Sequence, residues 1–297
     1  MTSATAYVES PVDVAAAKVE TKARRGRGVE HKPRIAIIIT VAFFAILYLP
    51  ILVVVLFSFN DKKSLATFTG FSTRWYSDLF SNEDLLASVA ASLKISFVAM
   101  VGSLILGTML AISLERVRSR GGRLAGLIAL IPLVTPEIVT GVAALLLFTG
   151  LGIKLSLTTV MIAEITFSIA YVTVIIRSRL ATLSAEVEEA AMDLGCNRVQ
   201  ALRLVVFPAI LPALIAAGIL IFALVFDDFV LAFFTTGVEP QPLPVRIYSA
   251  IRFGISPSIN AIGTLMLAFS ITLIGLALVI PRFFGRKDNS IDMLTGG

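Results

Sequence analysis

Long apolar runs dominate the chain, and short polar connections separate them. Six runs can be delimited, at about 35–59, 89–114, 124–149, 155–176, 208–234 and 259–284. Each approaches or exceeds the ~20 residues that a helix rising ~1.5 Å per residue needs to cross ~30 Å of hydrocarbon. The pattern therefore predicts an all-α integral membrane protein with six transmembrane helices.

Composition agrees with this fold class. Of the 297 residues, 57% are hydrophobic and 15% are charged, whereas a soluble domain has roughly 25% charged residues. We expect residues 1–33 to form a disordered basic tail rather than a cleaved signal, because they contain no apolar run. Residues 34–288 should form one six-span domain, and residues 289–297 a short C-terminal tail.

The positions of Lys and Arg predict the orientation. Most of the 25 basic residues lie in the N-terminal tail, in the connections after the second and fourth runs, and at the C-terminal end. Positively charged connections stay on the cytoplasmic side of a membrane. Both termini and the connection around residues 184–208 should therefore be cytoplasmic.

Several function classes are excluded by what the sequence lacks. It has one cysteine, Cys196, and one histidine, His31, so no internal disulfide, thiolate metal cluster or HExxH metal site is expected. It also lacks the phosphate-binding GxxxxGK[ST] motif and the GxSxG nucleophile motif. We expect no catalytic residue, metal or cofactor in this chain. The basic bias accounts for the net charge of +5, so membrane lipid rather than nucleic acid is the expected partner.

A polar, helix-forming segment at residues 184–208 interrupts the apolar pattern. Ser184 can cap a first helix, and Gly195 can end it. Asn197 and Gln200 have the spacing of a capping box that begins a second helix, which Pro208 either closes or joins to the next span. Apolar positions at helical spacing are Leu183, Val187, Ala190, Ala191 and Leu194 in the first helix and Val199, Leu202 and Val206 in the second.

Three interpretations of this segment compete. A DNA-binding helix-turn-helix has the same outline, but Glu186, Glu188, Glu189 and Asp193 would lie near phosphates. A connection that packs only on its own bundle is the second. The third is a protruding segment that inserts into a groove of a soluble partner protein.

The spacing within this segment resembles the EAA loop of ABC-importer permeases. Glu189-Ala190-Ala191 is followed after three residues by Gly195, and after nine more by Val205, Phe207 and Pro208. The family usually has Ile and Leu at the positions of Val205 and Phe207, so this chain departs there by apolar exchanges. The resemblance implies a coupling helix that docks on an ATPase subunit. The residues that would carry ATPase coupling are Glu189, Ala190, Ala191, Asp193, Gly195 and Pro208.

A wider resemblance covers nearly all of residues 35–285. The segments "LIPLVTPEIVTGVAALLLF", "ITFSIAYVTVIIRSRL", "FDDFVLAFFTTG" and "RIYSAIRFGISPSINAIGTL" are similar to the second permease subunit of spermidine/putrescine importers. The resemblance implies a type I ABC-importer permease fold in a bacterial inner membrane and transport by alternating access. It also implies as partners a related permease, a solute-binding protein and two copies of an ATP-binding subunit, which would bind the ATP and Mg.

Four acidic residues lie inside the predicted spans, namely Glu137, Glu164, Asp227 and Asp228. An ionisable group there costs on the order of 3 kcal/mol, so it should face a cavity or a partner. Helical rise places the four at similar depths, and together they would attract a cation such as a polyamine. Asp227 and Asp228 should point ~100° apart on a helix, so one of them should face the translocation pathway. The family more often has His at the position of Glu164, which leaves its role open.

Two further points stay open. The intramembrane acids also fit a stand-alone secondary transporter or channel for a cationic solute, in which residues 184–208 would be a mere connection. The aromatic residues Phe68, Phe71, Trp75 and Tyr76 fit either an anchor at the membrane interface or a docking surface for a binding protein.

Overall fold

The structure, a computed structural model, describes residues 34–63, 67–116, 120–238, 240–253 and 257–284. The two predicted tails at 1–33 and 289–297 lie outside these ranges. Within them the chain forms thirteen α-helices and no strand. The helices are α1 (Arg34–Phe57), α2 (Arg74–Phe80), α3 (Glu83–Arg116), α4 (Arg120–Ala129), α5 (Ile131–Val134), α6 (Glu137–Gly150), α7 (Leu157–Leu180), α8 (Ala185–Asp193), α9 (Arg198–Ala201), α10 (Phe207–Asp227), α11 (Val230–Thr235), α12 (Leu243–Phe253) and α13 (Pro257–Phe284).

Five helical segments in the described ranges are long and apolar enough to cross a membrane: Ala36–Phe57, Glu83–Arg116, Leu157–Leu180, Arg198–Asp227 and Pro257–Val279. They confirm the predicted all-α membrane class. The structure extends the second run, because α3 already begins at Glu83 rather than near residue 89.

The third predicted span is not one helix. It consists of α4, α5 and α6, with extended backbone at Thr135 (ψ 132°) and Pro136 (ψ 131°) between α5 and α6. Pro136 has no backbone N–H and disfavours helical geometry at the residue before it. The 14 residues of α6 span only ~21 Å, so α6 by itself is shorter than the hydrocarbon layer.

The fifth predicted span is also interrupted. Helix α10 ends at Asp227, Asp228 is extended (φ −68°, ψ 123°), and α11 begins at Val230. The continuous helix expected to about residue 234 is therefore wrong at this point. The local reason is that Asp228 turns its carboxylate onto the first N–H groups of α11, which is typical of aspartate at a helix start.

The chain divides into two units, Met1–Val53 and Val54–Gly297. In the described part of the first unit, the rings of Phe44 and Tyr48 stack 6.0 Å apart on α1.

In the second unit, α3 and α7 pack closely because small residues line the contact. A Cβ atom added at Gly107 would lie 2.7 Å from Cβ of Val172, closer than real Cβ contacts allow. The Thr173 hydroxyl donates to the Gly107 carbonyl oxygen across the same contact, at 3.3 Å. The main core of this unit is built from α3, α7 and α10, with Ile95, Val160, Val172, Ile210 and Ile221 buried in it.

Candidate functional site

The two helix interruptions bring acidic side chains to one place. Glu137 is the first residue of α6, directly after the break at Thr135 and Pro136. Asp227 is the last residue of α10, and Asp228 lies in the break before α11. Helices α6 and α11 pack so closely that a Cβ atom at Gly141 would lie 2.8 Å from the ring of Phe234. The breaks are thus held side by side.

Glu164 reaches the same place from the middle of α7. Its side chain is buried, with 2% of the residue exposed. Its Oε1 atom has no hydrogen-bond partner among the described residues. An unpaired buried carboxyl oxygen is costly, so this position is one where a ligand atom or a proton would be stabilising.

All four acids line one cavity of about 380 Å³. None of the described residues that line it is Lys, Arg or His, so this lining offers the carboxylates no positive partner. The other lining residues are Phe167, Ser168, Tyr171, Leu220, Ala223, Leu224, Val225 and Ile274. The cavity is therefore acidic on one part of its wall and aromatic or aliphatic on the rest.

Three of the carboxyl groups interact with one another. Asp228 interacts with both Glu137 and Glu164, and Glu137 also interacts with Glu164. Asp228 is held in place because its Oδ1 and Oδ2 accept the N–H groups of Val230 (2.9 Å) and Leu231 (3.2 Å). Like charges at close range repel strongly where water is scarce. A cation or a bound proton must therefore offset them.

Both Asp227 and Asp228 line this cavity. The ~100° between neighbours on a continuous helix does not apply to them, because the helix ends at Asp227. Which of them faces the translocation pathway stays a prediction. The Asp227 carboxyl group lies near the hydroxyl of Ser270.

Sequence reasoning missed the aromatic part of the wall. The rings of Phe167 and Tyr171 lie 5.4 Å apart on α7. They follow Glu164 at i+3 and i+7, which are positions on the same helix face. This spacing was the signal that could have identified them.

The 184–208 segment has the helix-turn-helix outline predicted for it. Helix α8 ends before Gly195, which has a φ of +94°. The capping box is confirmed, because the Asn197 side chain accepts the N–H of Gln200 (2.9 Å) and the Gln200 side chain accepts the N–H of Asn197 (2.8 Å). Of the two alternatives for Pro208, the structure has the second: α9 continues through a π-helical turn, Leu202–Val206, into α10.

The residues expected to couple to an ATPase lie mostly on the surface of this segment. Glu189, Ala190, Asp193, Gly195 and Pro208 are exposed, and Ala191 is half-buried. Leu194 and Val199, expected on the apolar faces of the two helices, are 87% and 72% exposed. The segment therefore presents apolar side chains that none of the described residues covers.

Two structural contacts outside the cavity are relevant. Arg116, the last residue of α3, forms an ion pair with Glu188 of α8 at 2.5 Å.

Trp75 is a core residue, only 4% exposed, and its Nε1 donates to the Asn60 carbonyl oxygen at 2.6 Å. Because Trp75 is buried in the protein, it cannot anchor the chain at the membrane interface. Phe71, which is 71% exposed, remains available for such a role.

Comparison with known proteins gives consistent results. The profile of the family described as "Binding-protein-dependent transport system inner membrane component" matches residues 103–289. The putrescine transport system permease protein PotI of Escherichia coli K12 is 39% identical over 238 residues, which cover 78% of this chain and 85% of PotI. The spermidine/putrescine transport system permease protein PotC of Haemophilus influenzae is 38% identical, with 80% of this chain and 93% of PotC covered.

Solved structures show the same fold at lower sequence identity. A chain of a bacterial ABC transporter involved in alginate import superposes with a TM-score of 0.69 at 14% identity, covering 90% of this chain and 99% of that one. A chain of the inward-facing MetNI methionine ABC transporter gives a TM-score of 0.60 at 16% identity, covering 72% and 99%.

Proposed function

Because the chain belongs to the family of binding-protein-dependent transport system inner membrane components, we propose that it is a permease subunit of an ATP-driven polyamine importer. The chain is a multi-pass membrane protein. The solute would be putrescine, spermidine or a related polyamine, delivered by a binding protein and passed through the membrane by alternating access.

The acidic cavity is the observation that carries the choice of solute. Four carboxyl groups line it, and no basic side chain is among its described lining residues, which favours a solute with more than one positive charge. The names of the relatives PotI and PotC, which mention putrescine and spermidine, support the same solute class. In this proposal Glu137, Glu164, Asp227 and Asp228 line the translocation pathway.

The exposed surface of the 184–208 segment supports its role as the coupling segment. The alternative, a connection that packs only on its own bundle, would bury Leu194 and Val199, but both are largely exposed. Exposed apolar side chains on a polar segment are typical of a protein-binding surface. Glu189, Ala190, Ala191, Asp193, Gly195 and Pro208 would contact the ATP-binding subunit or shape the surface that does.

The remaining parts of the importer lie in other chains. Two ATP-binding subunits on the cytoplasmic side would bind ATP and Mg and drive the cycle, and a related permease would complete the pathway. Both termini and residues 184–208 would face the cytoplasm. This chain would perform no bond chemistry itself.

The test is to purify a tagged form of the chain in mild detergent and identify the proteins that accompany it. We expect two copies of an ATP-binding subunit and one related permease per chain. In proteoliposomes, polyamine-loaded binding protein should stimulate ATP hydrolysis and polyamine uptake. A folded chain that purifies alone and transports a cation without ATP would contradict the proposal and favour a secondary transporter.

A further inference from the structure

The acidic groups of the cavity lie in two places rather than one. Glu137, Glu164 and Asp228 form a cluster whose members interact with one another. Asp227 lines the same cavity from the last residue of α10, and its carboxyl group lies near Ser270 of α13. A ligand that fills the cavity therefore meets negative charge at two separate positions.

The cluster contains a carboxyl oxygen that could accept a hydrogen bond from a ligand. Glu164 lines the cavity and is 2% exposed, and its Oε1 lacks a hydrogen-bond partner among the described residues. The Asp228 carboxylate already accepts two backbone N–H groups, so its orientation does not depend on a ligand. A donor with several hydrogens and a positive charge, such as an ammonium group, would satisfy the open oxygen and offset the repulsion within the cluster.

The aromatic wall favours an organic cation over a metal ion. Phe167 and Tyr171 lie on the same face of α7 as Glu164, with ring centres 5.4 Å apart. Such rings contact alkyl chains and attract alkylammonium groups. Among the described residues, no group of His, Cys, Asp and Glu has an arrangement that could hold a metal ion.

We propose that the cavity is a two-point site for a diammonium compound, in which Glu137, Glu164 and Asp228 bind one ammonium group and Asp227 binds the other. Phe167 and Tyr171 contact the chain between them. The inference rests on the proposed function and goes beyond it, because a pathway that is merely acidic needs no selectivity between monoamines and diamines.

The test measures binding of amines to the assembled transporter without its binding protein. Any selectivity between the amines then comes from the transporter and not from the binding protein. Radiolabelled 1,4-diaminobutane is equilibrated by dialysis with the complex, both without nucleotide and with a non-hydrolysable ATP analogue. 1-Aminobutane, which has the same carbon chain but one ammonium group, competes. We expect the diamine to bind at least about tenfold more tightly than the monoamine in one of the two states.

Two substitutions separate the two positions. Asp227→Asn should reduce the affinity for the diamine to that for the monoamine and leave the monoamine unaffected. Glu164→Gln should weaken both ligands. Asp78→Asn is the control, because Asp78 is exposed and lies outside this cavity. Equal weakening of both ligands by Asp227→Asn would overturn the two-point site.

A series of unbranched diamines with three to seven carbons provides a test without substitutions, in case a variant does not assemble. Two fixed positions require an optimum length, whereas a single acidic site would bind all lengths alike and overturn the inference. Uptake of polyamine with loaded binding protein and ATP is measured on the same complex. Uptake without diamine preference would contradict only this inference, while absence of any polyamine uptake would contradict the proposed function.

Discussion

At the scale of the residue, Gly195 is a position where backbone geometry restricts the choice of side chain. Its φ of +94° belongs to a region that residues with a Cβ avoid. A Cβ atom added there would meet no atom within 4 Å. The restriction is therefore conformational rather than steric, and it comes from the turn between α8 and α9.

Replacing Gly195 by Ala should destabilise this turn by about 1–2 kcal/mol and reduce the stimulation of ATP hydrolysis by loaded binding protein. The matched control is Gly152→Ala, since Gly152 also has a positive φ (+69°) and open space around it but lies outside the coupling segment. Thermal unfolding should respond to both substitutions, and ATPase stimulation only to Gly195→Ala. Equal loss of stimulation in the two variants would contradict the coupling role.

At the scale of the element, the 184–208 segment is connected to the membrane bundle by an ion pair as well as by the chain. Arg116 at the end of α3 pairs with Glu188 of α8, although the two residues are 72 positions apart. Their side chains are 39% and 27% exposed. A pair this accessible to solvent contributes at most about 1 kcal/mol to stability. We therefore expect its effect, if α8 moves with α3, in transport rather than in stability.

Exchanging the charges of Arg116 and Glu188 tests whether this ion pair matters for transport. Arg116→Glu and Glu188→Arg should each reduce polyamine uptake several-fold with little change in thermal stability, because each brings like charges together. The double exchange should recover a substantial part of the uptake, as expected for a coupled pair. Single and double variants are compared in proteoliposomes at equal complex content. If the losses simply add, the pair does not transmit motion.

At the scale of the whole molecule, α7 connects two regions that should lie on opposite sides of the membrane. Residues 151–156 precede α7, and the 184–208 segment follows it closely. The 24 residues of α7 span ~36 Å, enough to cross the hydrocarbon layer. The chain has one cysteine, Cys196, which is half-buried within the coupling segment.

Cys196 can report this orientation. A membrane-impermeant maleimide should label it in inside-out vesicles but not in right-side-out vesicles, and assembly with the ATP-binding subunits should protect it. Lys154→Cys combined with Cys196→Ser is the control, because Lys154 is exposed at the other end of α7. It should be labelled from the opposite side. Labelling of Cys196 from outside would reverse the proposed topology.

Some structural features were predicted correctly from the sequence and others were missed, and the physical reason can be named in each case. The capping box of Asn197 and Gln200 and the end of α8 before Gly195 depend on contacts within a few residues, and both were predicted. The break after Asp227 was missed because the apolar run continues past it to about residue 234, although Asp228 is a residue type that begins helices. Trp75 was assigned to a surface because its burial depends on packing with Phe226, Leu243 and Ala261, which are distant in sequence.

The sequence by itself determined the membrane class, the approximate spans and the helical outline of residues 184–208, because hydrophobic length, capping and glycine geometry are local properties. It also singled out all four acids of the cavity. Only the tertiary structure decided that Glu137, Glu164 and Asp228 interact and that Asp227 lines the same cavity. These relations depend on how α6, α7, α10 and α11 pack, and packing joins residues that no local pattern connects.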